Sequence, residues 1–467
     1  MSTHLSRRQA IKRLSSFSLM LGAGTVATGL AGCQTTANGA SYIEGVVARQ
    51  NMSPVMIWSD IMLQKVRDYS VNPPTASRAF AISHMAGFVA ANGKAQAYQT
   101  RFDIGRGPTD LIADVAYGAA MARAIERVFD TDVTQEFDRF ASGYIGSDAK
   151  SRSVAWGKQV ADALLTVRGN DGSATAADTM AYNATKRTDN LGWVPTGNHF
   201  GAVNGPTFGP ITDPLLPGWG NVETFALSSA SAYRVSNFVD ERSPEFARQF
   251  LKIKALGGAD SKIRTADQAQ IAFFWEDGPK GVTPPGHWQI IAMDLLQRYD
   301  MSLIEQARAM ALLSVAQADA GIATWDCKFE YDIVRPETAV RELGDSFDNP
   351  ALAGQRDPNW MTLIPTPPFP AYVSGHSAFS ASSARILAKV LGTDSISFSG
   401  KAPDLVNWPT QLAGVTRSWT SLWDAAMEGS LSREYGGIHW EADHTEGMAL
   451  GRNVADAVYR DAIIRAA

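Results

Sequence analysis

Hydrophobic residues recur at every third or fourth position along most of the chain, a spacing typical of amphipathic helices. In the first half this spacing runs through Tyr42–Tyr69, Ala76–Ala91, Pro108–Phe129 and Ala149–Val167. In the second half a helix is predicted to start at Ser243-Pro244, and the spacing then fits Thr265–Trp275, Pro285–Arg298, Ser302–Trp325, Gly375–Leu391, Gly414–Glu428 and Trp440–Arg465. No extended run of alternating apolar and polar residues occurs. The pattern therefore predicts an all-α protein.

The two groups of helices are separated by residues 170–222, which are rich in Gly, Pro, Asn, Thr and Trp. We expect a loop this long and aromatic to pack on a helical core or over a site. The predicted domains are an N-terminal helical half at 41–222, which includes this loop, and a C-terminal helical bundle at 223–467. The expected architecture is two packed helical bundles with long connecting loops and an active site in the C-terminal half.

The first 32 residues have the features of a signal peptide rather than of a folded domain. Ser6-Arg7-Arg8 forms a twin-arginine pattern, and the apolar run that follows is too short to span a bilayer. The run ends in Leu30-Ala-Gly-Cys33, which resembles a lipoprotein cleavage box. We expect export by the twin-arginine route and a lipid on Cys33, followed by a tether at 33–40. The mature protein would be a cell-envelope lipoprotein, periplasmic or on the outer cell surface.

Charge and cysteine content narrow the range of partners. Removing residues 1–32 takes away four basic residues and no acidic ones, so the net charge falls from −5 to −9. An acidic mature chain argues against nucleic acid and against charge-driven binding to anionic membranes. The membrane would be contacted only through the lipid on Cys33. Cys327 would be the remaining thiol, which excludes an intrachain disulfide. The sequence does not indicate the oligomeric state.

A predicted anion-binding helix start follows the proline-rich stretch at 365–370. Ser374-Gly375 opens the helix, where free backbone N–H groups, a hydroxyl and the positive end of the helix dipole come together. Ser374 alone could be an ordinary N-cap. His376 lies one residue beyond the pair and could serve as an acid or base.

Two further segments supply cations and imidazoles. In the first, Lys328 and Arg335 are seven residues apart, about two helical turns, so both could reach one point from the same face. Pro336 disfavours helix at Arg335 and makes a helix end there. In the second, Arg433 precedes a double glycine and then His439, with Asp443 one turn later.

An Asp four residues after His439 can accept the Nδ1–H of the imidazole and leave Nε2 as a directed lone pair. A histidine satisfied within the core and two solvated cations are the alternative interpretations of these segments. Three cations around one site are consistent with a multiply charged anion that neutralises them. A zinc site fits less well, because the two-histidine i, i+4 spacing is missing and the cations would repel the metal.

Taken in order, Lys-x6-Arg-Pro, Ser-Gly-His and Ser-Arg-x5-His-x3-Asp resemble the three-part signature of a known superfamily. It is the superfamily shared by type 2 phosphatidic acid phosphatases and vanadium-dependent haloperoxidases. Over most of its mature length the chain is similar to the bacterial haloperoxidase branch, and the matching stretches include Arg264–Gln268, Pro285–Trp288, Asp319–Trp325 and Gly447–Arg452.

The resemblance implies a vanadate cofactor whose vanadium is attached to His439. Lys328, Arg335 and Arg433 would neutralise its oxygens, together with Ser374 and the Gly375 amide. His376 would deprotonate the incoming hydrogen peroxide. Lys328 would polarise the bound peroxide, which halide attacks to give hypohalous acid, with vanadium acting as a Lewis acid rather than as a redox centre.

The resemblance also implies a halide pocket at Trp325 and Phe369. Phe369 falls where chloride-oxidising relatives carry an aromatic residue. Val334 and Val373 depart from the family pattern, which usually has an aromatic residue and a proline at these positions.

The same residues would also suit a soluble acid phosphatase, which needs no cofactor and takes a phosphate ester as substrate. In that case His439 would be the phosphoryl acceptor, Asp443 would orient it, and His376 would protonate the leaving alcohol. A non-catalytic lipoprotein that binds phosphate or vanadate is a third alternative. The full set of acid–base residues argues against it.

Overall fold

A computed structural model describes residues 52–102, 104–196 and 212–466, so the predicted leader, the tether and the start of the first predicted helix lie outside the described residues. The N-terminal helices are α1 Pro54–Asp68, α2 Pro73–Asn92, α3 Ala113–Phe129, α4 Thr134–Ala141, α5 Asp148–Val167 and α6 Met180–Thr185. The C-terminal helices are α7 Pro244–Gly257, α8 Ala266–Phe274, α9 Thr283–Leu296, α10 Leu303–Tyr331, α11 Pro336–Thr338, α12 Gly375–Leu391, α13 Pro409–Leu412, α14 Leu422–Tyr435 and α15 Glu441–Asp461. The all-α prediction is confirmed.

Helix α10 is the centre of the packing. It has 29 residues, which corresponds to about 43 Å, and it is apolar on most of its circumference. It packs against α2 of the N-terminal half and against α12 and α15 of the C-terminal half. Helices α2, α3 and α5 pack on one another, as do α12, α14 and α15. The helix that carries Lys328 is therefore held from both sides by the core.

Several predicted helix boundaries were wrong. The helix predicted at Ser302–Trp325 runs on to Tyr331, where Asp332 ends it in the left-handed conformation with φ 50°. Lys328 therefore lies on α10 but Arg335 does not, so the two cations do not share one helix face as expected. Arg335 is instead in extended conformation directly before Pro336. Pro336 starts the next helix because its fixed φ suits a first helical position.

Short strands replace parts of two predicted helices. The prediction of a helix over Gly414–Glu428 was wrong for its first part, because Thr416–Trp419 (β3) pairs antiparallel with Phe398–Lys401 (β2). The end of the predicted helix Trp440–Arg465 was also wrong, since Ile463–Arg465 (β4) pairs with Tyr98–Thr100 (β1). This second pair ties the C-terminus to the N-terminal half. The remaining predicted helices are present with ends that differ by a few residues.

Glycines allow α15 to approach the start of α12 closely. A Cβ on Gly447 would lie 2.8 Å from the carbonyl oxygen of Ser374, and one on Gly451 would lie 2.3 Å from that of Ala378. The two glycines are four residues apart and so form one face of α15. Because larger residues would force the helices apart, this face sets the distance between His439 and the start of α12.

The described parts of the Gly/Pro-rich loop pack on the helical core, as predicted. The amide of Val334 donates to the carbonyl of Leu191 at 2.7 Å, and the amide of Leu215 donates to the carbonyl of Pro368 at 2.8 Å. Trp219 is buried. The loop thus contacts the two segments that flank Arg335 and Phe369. Among the residues that the structure describes, no helix is both long and apolar enough to cross a membrane.

Candidate active site

Three segments converge at the C-terminal end of α10. The first is the end of α10 with Arg335 just beyond it, the second is the 365–376 stretch leading into α12, and the third joins α14 to α15. The amide of Ser374 donates to the carbonyl of Asp443 at 2.9 Å, so the second and third segments are hydrogen-bonded to each other. The structure thus brings together all of the predicted site residues.

Lys328 is fully buried at the end of α10. Its Nζ donates to the carbonyl oxygens of Pro370 and Ala371 at 2.8 and 3.0 Å. Buried ammonium groups need such acceptors, because an unpaired charge in the interior is costly. The two carbonyls therefore fix the position of the ammonium against the proline-rich segment.

Arg335 joins all three segments. Its Nε donates to the carbonyl of Phe369 at 2.8 Å, and its Nη1 donates to the carbonyl of Ile438 at 2.8 Å. Nη1 also lies 3.0 Å from Nε2 of His439. Since a guanidinium can only donate, Nε2 of His439 is the acceptor in this contact.

His439 is oriented by Asp443. The Nδ1–H of the imidazole donates to Oδ2 of Asp443 at 2.7 Å, and the amide of Trp440 donates to the same oxygen at 2.9 Å. Trp440 is the N-cap of α15, so the carboxylate also accepts from the first turn of the helix. This arrangement fixes the tautomer and leaves Nε2 as the acceptor that faces the cations.

The start of α12 combines a cap with an acid–base group. The Ser374 hydroxyl accepts from the amide of Ser377 at 3.3 Å, as an N-cap does, and its own proton remains available for donation. Gly375 is the first helical residue, so its N–H has no acceptor within the helix. Nε2 of His376 is buried without a hydrogen-bond partner in the described part of the chain.

Arg433 and His376 share a backbone wall formed by Trp275 and Glu276. Nη1 of Arg433 donates to the carbonyl of Trp275 at 3.0 Å. The backbone at Glu276 and Trp275 favours the protonated imidazole of His376 and so acts on its pKa against burial. Neither contact was expected from the sequence.

The predicted halide pocket is an aromatic wall beside Lys328. The rings of Trp325 and Phe369 are 4.9 Å apart, and Nζ of Lys328 lies 4.9 Å from the Phe369 ring centroid. The Trp325 indole N–H donates to the carbonyl of Leu215 at 3.1 Å. The indole N–H is thus engaged by the loop, and Lys328 faces the aromatic wall.

Burial lowers the pKa of each of the three cations, and a neighbouring arginine adds to this effect for Lys328 and Arg335. Burial lowers the pKa of Lys328 well below its ordinary value, with Arg335 acting in the same direction. Burial also lowers the pKa of Arg335 to about 9 and that of Arg433 to about 10. A bound anion would favour the charged form of all three.

The histidines are held neutral by the same forces. Burial lowers the pKa of His439 well below its ordinary value, and Arg335 is the next largest cause. Burial followed by Arg433 does the same for His376. Burial raises the pKa of Asp443 to about 7, against the hydrogen bond from Trp440 and the nearby cations. Neutral imidazoles present the lone pairs that a ligand atom or a proton acceptor requires.

The unpaired atoms of the site fit a tetrahedral oxyanion. Nη2 of Arg335, Nε of Arg433 and Nε2 of His376 are buried and make no hydrogen bond to any described residue. Such orphaned groups are costly unless a ligand satisfies them. Two guanidinium groups, an ammonium, a hydroxyl and a helix N-terminus suit vanadate or phosphate. The residues present therefore fit vanadate.

Sequence reasoning missed a second row of residues behind Arg433. The His287 ring stacks on Trp275 with centroids 4.4 Å apart, and its Nδ1 lies 3.0 Å from Oδ1 of Asp277. Glu276 accepts from the amide of Gly278 at 2.9 Å. The stretch Pro285–Trp288 was noted in the sequence for its resemblance, but no spacing rule linked it to the site.

Comparisons with known proteins agree with the predicted resemblance. Residues 308–464 match the family model described as the second helical-bundle domain of VCPO. The vanadium chloroperoxidase of Curvularia inaequalis is 28% identical over 242 residues, which is 40% of this chain and 39% of that protein. The chain thus matches about two fifths of the length of this curated relative.

Solved structures extend the similarity to nearly the whole chain. The first bacterial vanadium-dependent iodoperoxidase superposes with a TM-score of 0.70 at 26% identity, covering 89% of this chain and 98% of the other. An apo-type bacterial vanadium-dependent chloroperoxidase superposes with a TM-score of 0.62 at 18% identity, covering 84% and 95%. The fold and the matched bundle are thus similar to those of vanadium-dependent haloperoxidases. The predicted resemblance to the bacterial branch is confirmed.

Proposed function

We propose that this protein is a vanadate-dependent haloperoxidase. It would use hydrogen peroxide to oxidise halide, consuming one proton and releasing hypohalous acid and water. Similarity to chloroperoxidases and to an iodoperoxidase supports this proposal. The activity is carried over from these relatives, which are named for different halides.

The observation that carries the proposal is the set of buried, unpaired nitrogens around His439. Arg335, Arg433 and His376 each present one such atom, and backbone carbonyls hold other nitrogens of the two guanidinium groups. The site is therefore preorganised: the cations are positioned by the protein and retain donors for an anion. Preorganised donors need little rearrangement when the charge arrives.

Bound vanadate would supply a Lewis acid that activates peroxide without changing its own oxidation state. Lys328, Arg335 and Arg433 would hold its negative charge, and Nε2 of His439 would be the protein ligand of vanadium. For this, Arg335 must exchange its hydrogen bond to Nε2 for one to an oxygen of the anion. Asp443 would keep the proton on Nδ1 of His439 throughout.

His376 would act as the base. Its Nε2 is neutral at physiological pH because burial and Arg433 lower its pKa, so it can accept a proton from hydrogen peroxide. Ser374 and the first amides of α12 would orient the anion next to it. The wall of Trp325 and Phe369 would receive the halide beside the Lys328 ammonium.

The test is a pair of assays on one preparation of purified protein, with and without orthovanadate. Peroxide-dependent halogenation of a dye with bromide, iodide and chloride measures the proposed reaction. Hydrolysis of a generic phosphomonoester measures the phosphatase alternative. We expect halogenation only with vanadate. Phosphoester hydrolysis that vanadate inhibits, without halogenation, would replace the proposal with the phosphatase.

We also propose that the mature protein is an exported lipoprotein held at the cell envelope through Cys33. The support is the sequence alone: a twin-arginine pattern, a short apolar run and the Leu-Ala-Gly-Cys box. Hypohalous acid would then form outside the cytoplasm, away from oxidisable cytoplasmic components.

A further inference from the structure

A cluster of charged side chains lies on the outer side of the segment that joins α14 to α15. Glu434 follows Arg433 directly, and its carboxylate is almost completely buried. Lys252 of α7 places its Nζ 2.7 Å from Oε1 of Glu434. Nε2 of His444, which follows Asp443 directly, lies 3.3 Å from Oε2 of the same carboxylate, although it is not aligned as a hydrogen bond. Glu434 therefore bridges three helices.

Helix α7 also holds the start of α15. Lys252 places the same Nζ 2.7 Å from Glu441, the first residue of α15. Arg248 donates twice to Glu441, at 2.8 and 3.0 Å. Gln249 accepts from the amide of Ala442 at 3.0 Å. Three residues on one face of α7 thus fix the first turn of α15, the turn that carries Asp443.

The geometry of the joining segment depends on these contacts. Arg433 lies at the end of α14 and His439 just before α15, and the chain between them turns through two glycines. Gly437 has φ +84°, and a Cβ there would lie 2.3 Å from the carbonyl of Gly257, the last residue of α7. Besides the contacts of the turn itself, the relative position of Arg433 and His439 depends on what holds the two helix ends.

The contact between the end of α14 and helix α7 depends on the pairing of charges at Glu434. A buried carboxylate without partners would be costly, so the burial of Glu434 depends on the Lys252 ammonium beside it. Glu434 neighbours Arg433 in sequence, and Glu276 and Asp277 favour the charged form of Arg433. The contacts of Glu434 with Lys252 and His444 bear on the position of the helix end that carries Arg433.

We propose that Glu434 is a positioning residue of the oxyanion site. Together with Lys252 and His444, it holds the end of α14 against the start of α15, so that Arg433 and His439 face the same anion. This inference rests on one part of the proposed function, namely that the site binds a tetrahedral oxyanion. It assigns a role to His444, which has no place in the proposed chemistry.

The test is isothermal titration of the vanadate-free full chain with orthovanadate and, separately, with inorganic phosphate. Lys252→Met removes the cation at a half-exposed position, and Lys252→Arg keeps it. Glu434→Gln keeps the shape and removes the charge. We expect Lys252→Met and Glu434→Gln to weaken binding of both anions about tenfold, the effect typical of residues that orient ligands. Lys252→Arg, which keeps the cation, should bind both anions more tightly than Lys252→Met.

The matched control is Asp456→Asn, which removes a carboxylate from α15 where it pairs with Arg385 and Lys389 away from the site. All titrations are run at a temperature where circular dichroism shows each variant folded, so that a purely structural role would leave the affinity unchanged. If Lys252→Met and Glu434→Gln bind like Asp456→Asn, the inference is overturned while the proposed function stands. If the wild type binds neither anion, both are overturned.

Discussion

Asp443→Asn should make the vanadate-free protein more stable, and the gain should grow with pH. The carboxylate is buried, and its pKa is raised from 3.8 to about 7. An acid with a raised folded-state pKa costs stability as the pH rises between its unfolded and folded pKa values, and above both the cost is constant. Asparagine can keep both hydrogen bonds that Oδ2 now accepts, from His439 and Trp440, without the charge.

The size of the effect follows from the two pKa values. A difference of about three pKa units corresponds to about 4 kcal/mol at pH 8, where the carboxylate is ionised in both states. At pH 5 the carboxyl is ionised in the unfolded state but still protonated in the folded state, so the cost is only about 1.5 kcal/mol. The stability gain of Asp443→Asn over wild type should therefore rise by about 2.5 kcal/mol from pH 5 to pH 8.

Urea denaturation of both proteins at a series of pH values measures this difference directly. Asp456→Asn is the control with the opposite sign, because the pKa of Asp456 is lowered by Arg385 and Lys389 against the effect of burial. Removing the Asp456 carboxylate should therefore lower the free energy of unfolding above pH 4. A gain for Asp443→Asn that is the same at pH 5 and pH 8 would refute the claim that the buried charge is destabilising.

Four further predictions address the site and the anchor. His439→Ala should abolish halogenation and phosphoester hydrolysis alike, since both need Nε2; a folded variant with more than about a tenth of wild-type turnover would contradict the site assignment. Orthovanadate should raise the melting temperature of the vanadate-free protein more than sodium chloride of equal ionic strength, with phosphate competing. Arg433→Ala should reduce that shift by removing a donor worth about 1.5–3 kcal/mol, and an unchanged shift would argue against a role for Arg433 in anion binding. Cys33→Ala should release the protein from the membrane fraction, and equal incorporation of labelled fatty acid in the variant would contradict the lipid anchor.

The sequence predicted those parts of the fold that follow from local patterns. The N-cap at Ser243 and the helix start at Ser374 could be predicted because a capping residue acts within its own first turn. The contact between His439 and Asp443 could also be expected, since a spacing of four residues at a helix start brings the two side chains together.

Features that depend on tertiary context could not be predicted. Asp332 ends α10 in the left-handed conformation, whereas the hydrophobic spacing placed the end of this helix too early, at Trp325. Thr416–Trp419 became a strand because β2 lies beside it, and four residues are too few to show an alternating pattern. The Trp275 carbonyl that holds Arg433 belongs to the backbone, so no residue type at that position marks it.

Arg335 shows how the site balances stability against function. Its guanidinium donates to two backbone carbonyls and to Nε2 of His439, yet it keeps one buried nitrogen without a partner. The two carbonyls fix the plane of the group whether or not an anion is bound. When a ligand binds to Nε2 of His439, only the hydrogen bond from Nη1 of Arg335 to this nitrogen must be replaced by one to the ligand. A hydrogen bond from the guanidinium to an oxyanion is stronger than one to a neutral imidazole. Binding can therefore release Nε2 of His439 while the remaining cationic framework stays in place.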